Sequence, residues 1–313
     1  MKRFRLVKRF WNEESGASIV LVALMLTVLL SMAALVIDGG LLYMNRAKLV
    51  HAIDAAVLAG AQDLPDHPDT ARATAEAYLR SNNIDPADVT IQITDSNTHI
   101  SASASKPVSF FFAPVIGLTG TNVEGNATAI IAPIIATGDL VPWGVSEQSF
   151  VYGQQYHLKT GSPADSHDPG TINGWFGCLQ FPGNSGADDY RDAILSGYAG
   201  TLEIGDHLET EQGNMSGPTE TGVLSRFNAC NHTPSCTYSS FVRSCPRVVV
   251  VPVITVVGAH EVEVKGFAAF VLEGESGSGN NCYVTGRFVH TVGSGDVSTS
   301  AADYGFYGVK LTI

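Results

Sequence analysis

The sequence lacks the short motifs that mark common enzyme active sites. It contains no Gly-x-Ser-x-Gly, no P-loop and no His-Glu-x-x-His, and its nine histidines are scattered along the chain. Those motifs carry nucleophilic, phosphate-binding and metallohydrolase chemistry. We therefore expect neither enzymatic activity nor a cofactor, although a site assembled from distant residues would leave no such motif.

Positive charge is scarce beyond the amino terminus. The chain has 18 Lys and Arg against 30 Asp and Glu, and five of the basic residues lie before residue 10: Lys2, Arg3, Arg5, Lys8 and Arg9. When these and Glu13 and Glu14 are set aside, 13 basic residues stand against 28 acidic ones, a net charge of −15. So acidic a surface is unsuited to nucleic acid and to anionic lipid head groups.

Cysteine is absent from the first half of the chain. The five cysteines all lie further on, at Cys178, Cys230, Cys236, Cys245 and Cys282. In an exported domain five cysteines could form two disulfides and leave one free thiol. The sequence assigns no pairs among them.

The longest apolar run, residues 17–37, contains no charged residue, and its only polar side chains are Ser18, Thr27 and Ser31. About 20 apolar helical residues cross the ~30 Å hydrocarbon core of a bilayer. A cleavable signal peptide ends in small residues at its cleavage site, whereas here an apolar helical pattern continues after Asp38-Gly39-Gly40. We therefore expect the span to be retained as an anchor. Because the basic flank, residues 1–16, precedes the span, it should stay in the cytoplasm, with everything after Asp38 outside the cytoplasmic membrane.

Residues 38–137 have the pattern of a helix followed by a small α+β region. Leu42, Leu49, Ile53 and Val57 recur on one helical face. Alternation over 89–94 and 99–105, with a turn at Asp95-Ser96-Asn97, predicts a hairpin, and residues 123–133 predict a further strand.

Residues 138–313 form a segment of different character, in which apolar runs rich in β-branched residues alternate with Gly and Pro. The runs span 150–158, 202–204, 248–257, 262–272, 283–292 and 304–313. They predict a mainly β domain, with one helix over 187–198. The expected fold class is α+β: a long transmembrane helix, a small α+β head and a mainly β distal domain that folds as an independent unit.

Several blocks in the first part of the chain occur in an order that resembles TadE/TadG-type proteins. The blocks are 14–17, 36–43, 46–49, 52–61, the Phe-Phe-Phe-Ala-Pro-Val-Ile-Gly run at 110–117, and the strand ending at 127–129. The resemblance covers roughly residues 10–135. It implies a bacterial, membrane-anchored, pseudopilin-like component of the tight-adherence (Flp, type IVb-like) pilus. Processed pilins carry a glutamate five residues after the cut; Leu21 stands there, so we expect an uncleaved anchor.

Two functions remain open from the sequence. In the first, the helix packs against other pilin-like subunits and the membrane lipid, and the small residues Ala33, Ala34, Gly39 and Gly40 permit close approach; alternatively, these residues merely tolerate lipid and a bend. In the second, the helix only tethers a distal adhesin or glycan-binding module. Exposure of the distal aromatics Trp143, Trp175, Phe176 and Tyr190 would favour binding, and their burial would favour a scaffold.

Three clusters were weighed as metal sites. Cys230, His232, Cys236 and Cys245 are zinc-ligand types, but without the usual Cys-x2-Cys pairs they are predicted to be disulfides or free thiols. Asp188, Asp189 and Asp192 lack the ligand spacing of an EF-hand and instead suit a helix amino terminus. Asp296-Val-Ser-Thr-Ser300 matches the metal loop of von Willebrand A domains, but too few residues follow it. We expect no metal site.

Overall fold

The computed structural model describes residues 14–159, 176–274, 279 and 282–312. The basic flank before residue 14 and Trp175 therefore lie outside the described residues. By chain contacts the structure divides into two compact units. The first contains the described residues up to Ala56 together with 76–91 and 102–127, and the second contains 57–75, 92–101 and the chain from Thr128 onward.

The described residues contain four α-helices: α1 (Glu14–Ala61), α2 (Pro68–Ser81), α3 (Gly186–Ser196) and α4 (Ser216–Asn228). Short 3-10 turns lie at Pro86–Asp88 and Ala113–Ile116. The strands are β1 (Val89–Thr94), β2 (His99–Ser109), β3 (Gly120–Thr137), β4 (Val145–Ser146), β5 (Gln155–Lys159), β6 (Leu179–Gln180), β7 (Leu202–Glu203), β8 (His207–Thr210), β9 (Val248–Val256), β10 (Glu261–Leu272), β11 (Val284–Val289), β12 (Thr291–Val292), β13 (Asp296–Val297) and β14 (Phe306–Thr312). A long apolar helix and a mainly β distal region are thus confirmed.

In the first unit, α1 is packed against the outer part of β3. Leu49 and Ile53, four residues apart on the same face of the helix, are both buried, as the periodicity of the apolar residues predicts. A Cβ on Gly125 of β3 would lie 3.0 Å from Ile53 and 3.2 Å from Leu49, so glycine allows the strand to approach the helix closely. The β1–β2 hairpin is confirmed, with Asp95, Ser96 and Asn97 in left-handed backbone conformations at its turn.

The strands in the described part of the chain form two seven-stranded sheets. The first has the order β1-β2-β3-β14-β12, with β7 and β13 also paired to β3; the second has the order β4-β9-β10-β11-β5, with β8 paired to β10 and β6 to β8. In the second unit, β14 pairs antiparallel with residues 128–133 of β3. The long strand β3 is therefore the strand around which the first sheet is arranged.

The second sheet is buried on both faces. Along β9, Val249, Val251 and Val253 pack into one core, while Ile254 packs into the core on the opposite face. Apolar side chains on both faces explain why these segments read as nearly continuous hydrophobic runs. In β10 the register with β9 shifts between Val264 and Gly266, and this bulge switches the face to which later residues point.

The predicted division at residue 138 stays a prediction. Residue 138 follows the last residue of β3, whereas the second compact unit already begins in β3 at Thr128 and also includes 57–75 and 92–101. Helix α4 was not predicted, because residues 214–219, with Gly217 and Pro218, have the sequence of a turn.

Candidate functional site

The first half of α1 is apolar and exposed, and we name its residues 19–37 the apolar rod. Its large hydrophobic side chains between residues 19 and 37 are all exposed, from 49% at Ile37 to 76% at Leu35. Such a surface is unfavourable in water and matches the interior of a bilayer, where a helix also satisfies its own backbone. In the part of the chain that the structure describes, this is the one helix long and apolar enough to cross a membrane, which is consistent with a single-pass protein.

Asp38, directly after the apolar rod, is the first buried polar side chain of α1, with 5% exposure. Its carboxylate accepts backbone hydrogen bonds from Phe111 (2.8 Å), Phe112 (3.1 Å) and Ala113 (2.7 Å). A carboxylate that accepts three backbone N–H groups forms strong, charge-assisted bonds. Asp38 thus fixes the loop between β2 and β3 to the helix.

The loop held by Asp38 exposes a cluster of apolar side chains. Phe111, Phe112, Val115 and Leu118 are all exposed, and Val115 is 91% accessible. A hydrogen bond from the Phe110 N–H to the Thr119 carbonyl closes the loop at its base. Because the loop is fixed to the residue that follows the apolar rod, its exposed side chains lie beside the end of that rod. We name residues 110–119 the aromatic loop.

The four predicted packing residues do not share one face of α1. Ala33 and Gly40, seven residues apart, lie on one exposed face, while Ala34 is half-buried on the side of Asp38. Side chains built on Gly39 and Gly40 would meet nothing within 4 Å, so there is open space at both. The helix runs through Gly39-Gly40 without interruption.

Comparison with known families matches this same helix. Residues 16–63 match the family model of putative Flp pilus-assembly TadE/G-like proteins. The resemblance predicted from the sequence is confirmed over this segment, and its extension to residue 135 stays a prediction. Searches of curated proteins and of solved structures gave no match.

The TadE/G-like segment also has an exposed face beyond the apolar rod. Tyr43 and Met44 are exposed apolar side chains, and Arg46, Lys48 and His51 are exposed on the same stretch of helix. Tyr43 is 76% accessible. Tyr43 thus lies next to basic groups on a helix whose buried face begins at Leu49, and an exposed aromatic in this position is typical of a contact surface rather than of a core.

Outside the TadE/G-like segment, the structure gathers three cysteines and a histidine. The ligand atoms of Cys230, His232, Cys236 and Cys245 all lie within 4.8 Å of one another. His232 Nδ1 is 3.8 Å from Cys230 Sγ and 3.5 Å from Cys236 Sγ. We name these four residues the Cys3His cluster. The sequence analysis assigned the same residues to disulfides or free thiols because their spacing is irregular.

Hydrogen bonds and burial act in opposite directions within the Cys3His cluster. Backbone N–H groups, that of Cys236 foremost, and the imidazole of His232 lower the pKa of Cys230 to about 6. Burial raises the pKa of Cys245 to about 12. Cys230 is therefore more readily ionised than Cys245.

None of the five cysteines, all of which lie within the described residues, forms a disulfide in the structure. The predicted disulfides stay a prediction, for which only the three cysteines of the Cys3His cluster are grouped by the structure. Cys178 and Cys282 are both buried elsewhere. Cys178 lies 3.2 Å from the Tyr190 hydroxyl, and burial raises the pKa of this thiol to about 12.

The aspartates of the other two predicted clusters lie in regular secondary structure, and those at the start of α3 bind neighbouring protein groups. Asp188 and Asp189 lie in the first turn of α3; Asp188 and Asp192 bind Arg191, and Asp189 accepts a hydrogen bond from the Ser185 N–H. Asp296 belongs to the short strand β13.

Of the distal aromatics within the described residues, Trp143 and Tyr190 are buried, and Phe176 is half-buried. Trp143 Nε1–H donates a hydrogen bond of 2.7 Å to the Tyr190 hydroxyl.

The second unit also contains a cleft that was not predicted from the sequence. A space of about 590 Å³ is lined by residues 62–64, 66–67, 238–243 and 289–291 together with Tyr152. At its walls Arg243 pairs with Asp63 at 3.0 Å and His290 pairs with Asp66 at 2.9 Å. The lining residues come from distant parts of the chain, and no local pattern could have grouped them.

Proposed function

We propose that the protein is a non-enzymatic, single-pass membrane component that assembles or anchors a tight-adherence pilus. The observation that carries this proposal is the coincidence of two findings in one helix. Residues 16–63 match a pilus-assembly family. The same helix exposes an apolar rod long enough to span a bilayer.

In this proposal residues 17–37 span the cytoplasmic membrane with the amino terminus inside. The chain after Asp38 lies outside, because the basic residues precede the span. The anchor stays uncleaved, since Leu21 replaces the glutamate of processed pilins.

The first unit serves as a pilin-like head on the membrane surface. Asp38 fixes the aromatic loop beside the end of the apolar rod. Phe111, Phe112 and Val115 then reach the lipid interface, where exposed apolar and aromatic side chains are stabilised. Two attachments, the span and the aromatic loop, fix the orientation of the head relative to the membrane.

The exposed face of α1 carries the contact with other pilin-like subunits. Ala33 and Gly40 provide a surface without bulky side chains, and Tyr43 continues it outside the span. Small residues let helix backbones approach closely in membranes. Partners of this chemistry are other helices with small residues on one face.

A photo-crosslinking amino acid at Tyr43 tests this contact in living cells. We expect irradiation to link the protein to another pilus component through this site, because Tyr43 is exposed on the proposed face. The matched control carries the same amino acid at Val151, an exposed position of the second unit. Equal capture of the same partner at both positions, or none at Tyr43, would contradict the proposal.

A bulky substitution tests the role of the small residues. Gly40→Leu should reduce the number of surface pili several-fold while the protein remains in the membrane fraction, because the added side chain separates the helices. Ala23→Leu makes a similar change on another face of the span and serves as control. Pili at wild-type number in Gly40→Leu would refute close packing at this position.

The cleft of the second unit favours one other function, a tethered adhesin or glycan-binding module. Its tyrosines Tyr152 and Tyr238 and the charged pairs at its walls are groups that bind sugars and peptides. The burial of Trp143 and Tyr190 removes two of the aromatics on which that reading depended. Binding of the detergent-purified protein to a glycan array, lost in Tyr238→Ala, would favour the adhesin.

A further inference from the structure

We propose that Cys230, His232, Cys236 and Cys245 bind one Zn²⁺ ion in a structural site. Zinc in proteins takes four tetrahedral ligands of this kind, with Zn–S near 2.3 Å and Zn–N near 2.0–2.1 Å. In a tetrahedron of those bond lengths the sulfur and nitrogen ligand atoms stand about 3.6 Å apart and two sulfurs about 3.8 Å apart. His232 Nδ1 lies 3.5 Å from Cys236 Sγ and 3.8 Å from Cys230 Sγ, and all four ligand atoms fit within 4.8 Å.

Backbone N–H groups point at each sulfur of the cluster. Those of Cys236 and His232 donate to Cys230 Sγ, that of Arg247 donates to Cys245 Sγ, and that of Val242 lies 3.5 Å from Cys236 Sγ. Hydrogen bonds of this type orient ligands and partly neutralise thiolates in metal sites. The surroundings therefore suit three thiolates held in fixed directions.

The guanidinium of Arg247, next to the cluster, offsets the net charge of the zinc-bound thiolates. Three thiolates and one Zn²⁺ sum to a single negative charge. The guanidinium of Arg247 donates to the backbone carbonyl of Cys236 at 3.2 Å and lies 4.2 Å from the centre of the Phe227 ring. Its Nε is buried and has no hydrogen-bond partner among the described residues.

The position of the cluster indicates a structural role for the metal. All four ligands come from the irregular segment between α4 and β9, residues 229–247. An irregular segment of this length is uncommon in a compact fold unless something besides secondary structure holds it. Four protein ligands close the tetrahedron, so there is no open position for catalysis.

The competing arrangement is a disulfide between two of the three cysteines. It would leave the third thiol and His232 without a role, and it needs the sulfurs to approach to about 2.05 Å. Tetrahedral sulfur and nitrogen ligands select zinc among the common divalent metals. Zinc binding and a disulfide exclude each other at this site, so one experiment separates them.

The test is metal analysis of the full-length protein purified in detergent without chelators, then reduced and incubated with one equivalent of ZnCl₂ before gel filtration. We expect one zinc per chain by mass spectrometry of the metal, and the visible absorption of tetrahedral thiolate-bound cobalt when Co²⁺ replaces it. Cys236→Ser and Cys245→Ser should lower the zinc content at least ten-fold. Cys178→Ser and Cys282→Ser, at buried cysteines outside the cluster, should retain one equivalent.

His232→Cys provides a check that does not depend on loss of folding, since four thiolates also hold zinc tetrahedrally and should keep one equivalent. Wild-type protein without zinc after reduction and metal addition overturns the proposal. So does zinc content that is unchanged in Cys236→Ser, or that falls equally in the Cys178→Ser control.

Discussion

Removing β3 tests how far the second unit depends on chain that precedes residue 138. The perturbation is a fragment of residues 138–313, which the sequence predicted to fold independently. In the structure this fragment lacks β3, the partner of β14 over residues 128–133 and of β13 and β7 over residues 134–137. We expect it not to fold cooperatively.

The expected loss in free energy of unfolding follows from the apolar side chains that β3 buries. Ile130, Ile131 and Ile134 are 6%, 4% and 2% exposed, and Ile134 belongs to the core that contains Leu140 and Phe306. Burying three isoleucines is worth about 5–9 kcal/mol, an upper estimate because unfolded chains are partly compact. A whole domain is stable by only about 5–15 kcal/mol, so losing β3 removes most of that margin.

Urea unfolding followed by circular dichroism measures the difference. The control fragment, residues 38–313, omits the span but keeps β3, and we expect it to unfold in one cooperative transition with a higher midpoint. If residues 138–313 unfold cooperatively with a free energy within about 1 kcal/mol of the control, β3 is not needed and the boundary predicted from the sequence is right.

Two further predictions concern single side chains. Asp38→Asn removes a charged acceptor of three backbone N–H groups, so hydrogen exchange at residues 111–113 should become at least several-fold faster, with Asp54→Asn on the same helix as control; unchanged exchange would show that Asp38 does not hold the aromatic loop. Burial and the Asp303 carboxylate raise the pKa of Tyr307 well above its ordinary value near 10, so above pH 10 the unfolded chain releases a proton that the folded chain keeps. Stability should therefore fall by about 1.4 kcal/mol per pH unit for this group, and Tyr307→Phe should flatten the profile between pH 10 and 11 in thermal melts; equal slopes would contradict the assignment.

Local patterns in the sequence predicted the elements that depend on local interactions. The uncharged run of residues 17–37 requires a long apolar helix, and the turn at Asp95-Ser96-Asn97 fixes a hairpin whose strands begin and end close to the predicted positions. Residues 248–257 and 262–272 were predicted as strands because they are rich in β-branched or aromatic residues, and β9 and β10 occupy these positions.

Local sequence patterns could not predict contacts between residues that are distant along the chain. For Cys230, His232, Cys236 and Cys245, disulfides or free thiols were predicted from their spacing alone. Spacing along the chain did not show that these side chains meet, because a loop that folds back brings their ligand atoms within 4.8 Å of one another. The role of Asp38 depends on a loop more than 70 residues away in sequence, as its bond to Phe111 shows. The pairing of β3 with β14 likewise joins Thr128 and Thr312, which are 184 residues apart.

That pairing has a consequence for biogenesis. In the topology proposed above, the chain crosses the membrane from its amino-terminal end onward, so Thr128 would emerge long before Thr312, its partner in the sheet. Contacts between such distant segments form slowly, and until they form β3 presents an unpaired apolar edge. Under that proposal, the chain is most exposed to aggregation and proteolysis between the emergence of β3 and its pairing with β14, and a chaperone that shields β3 would act in that interval.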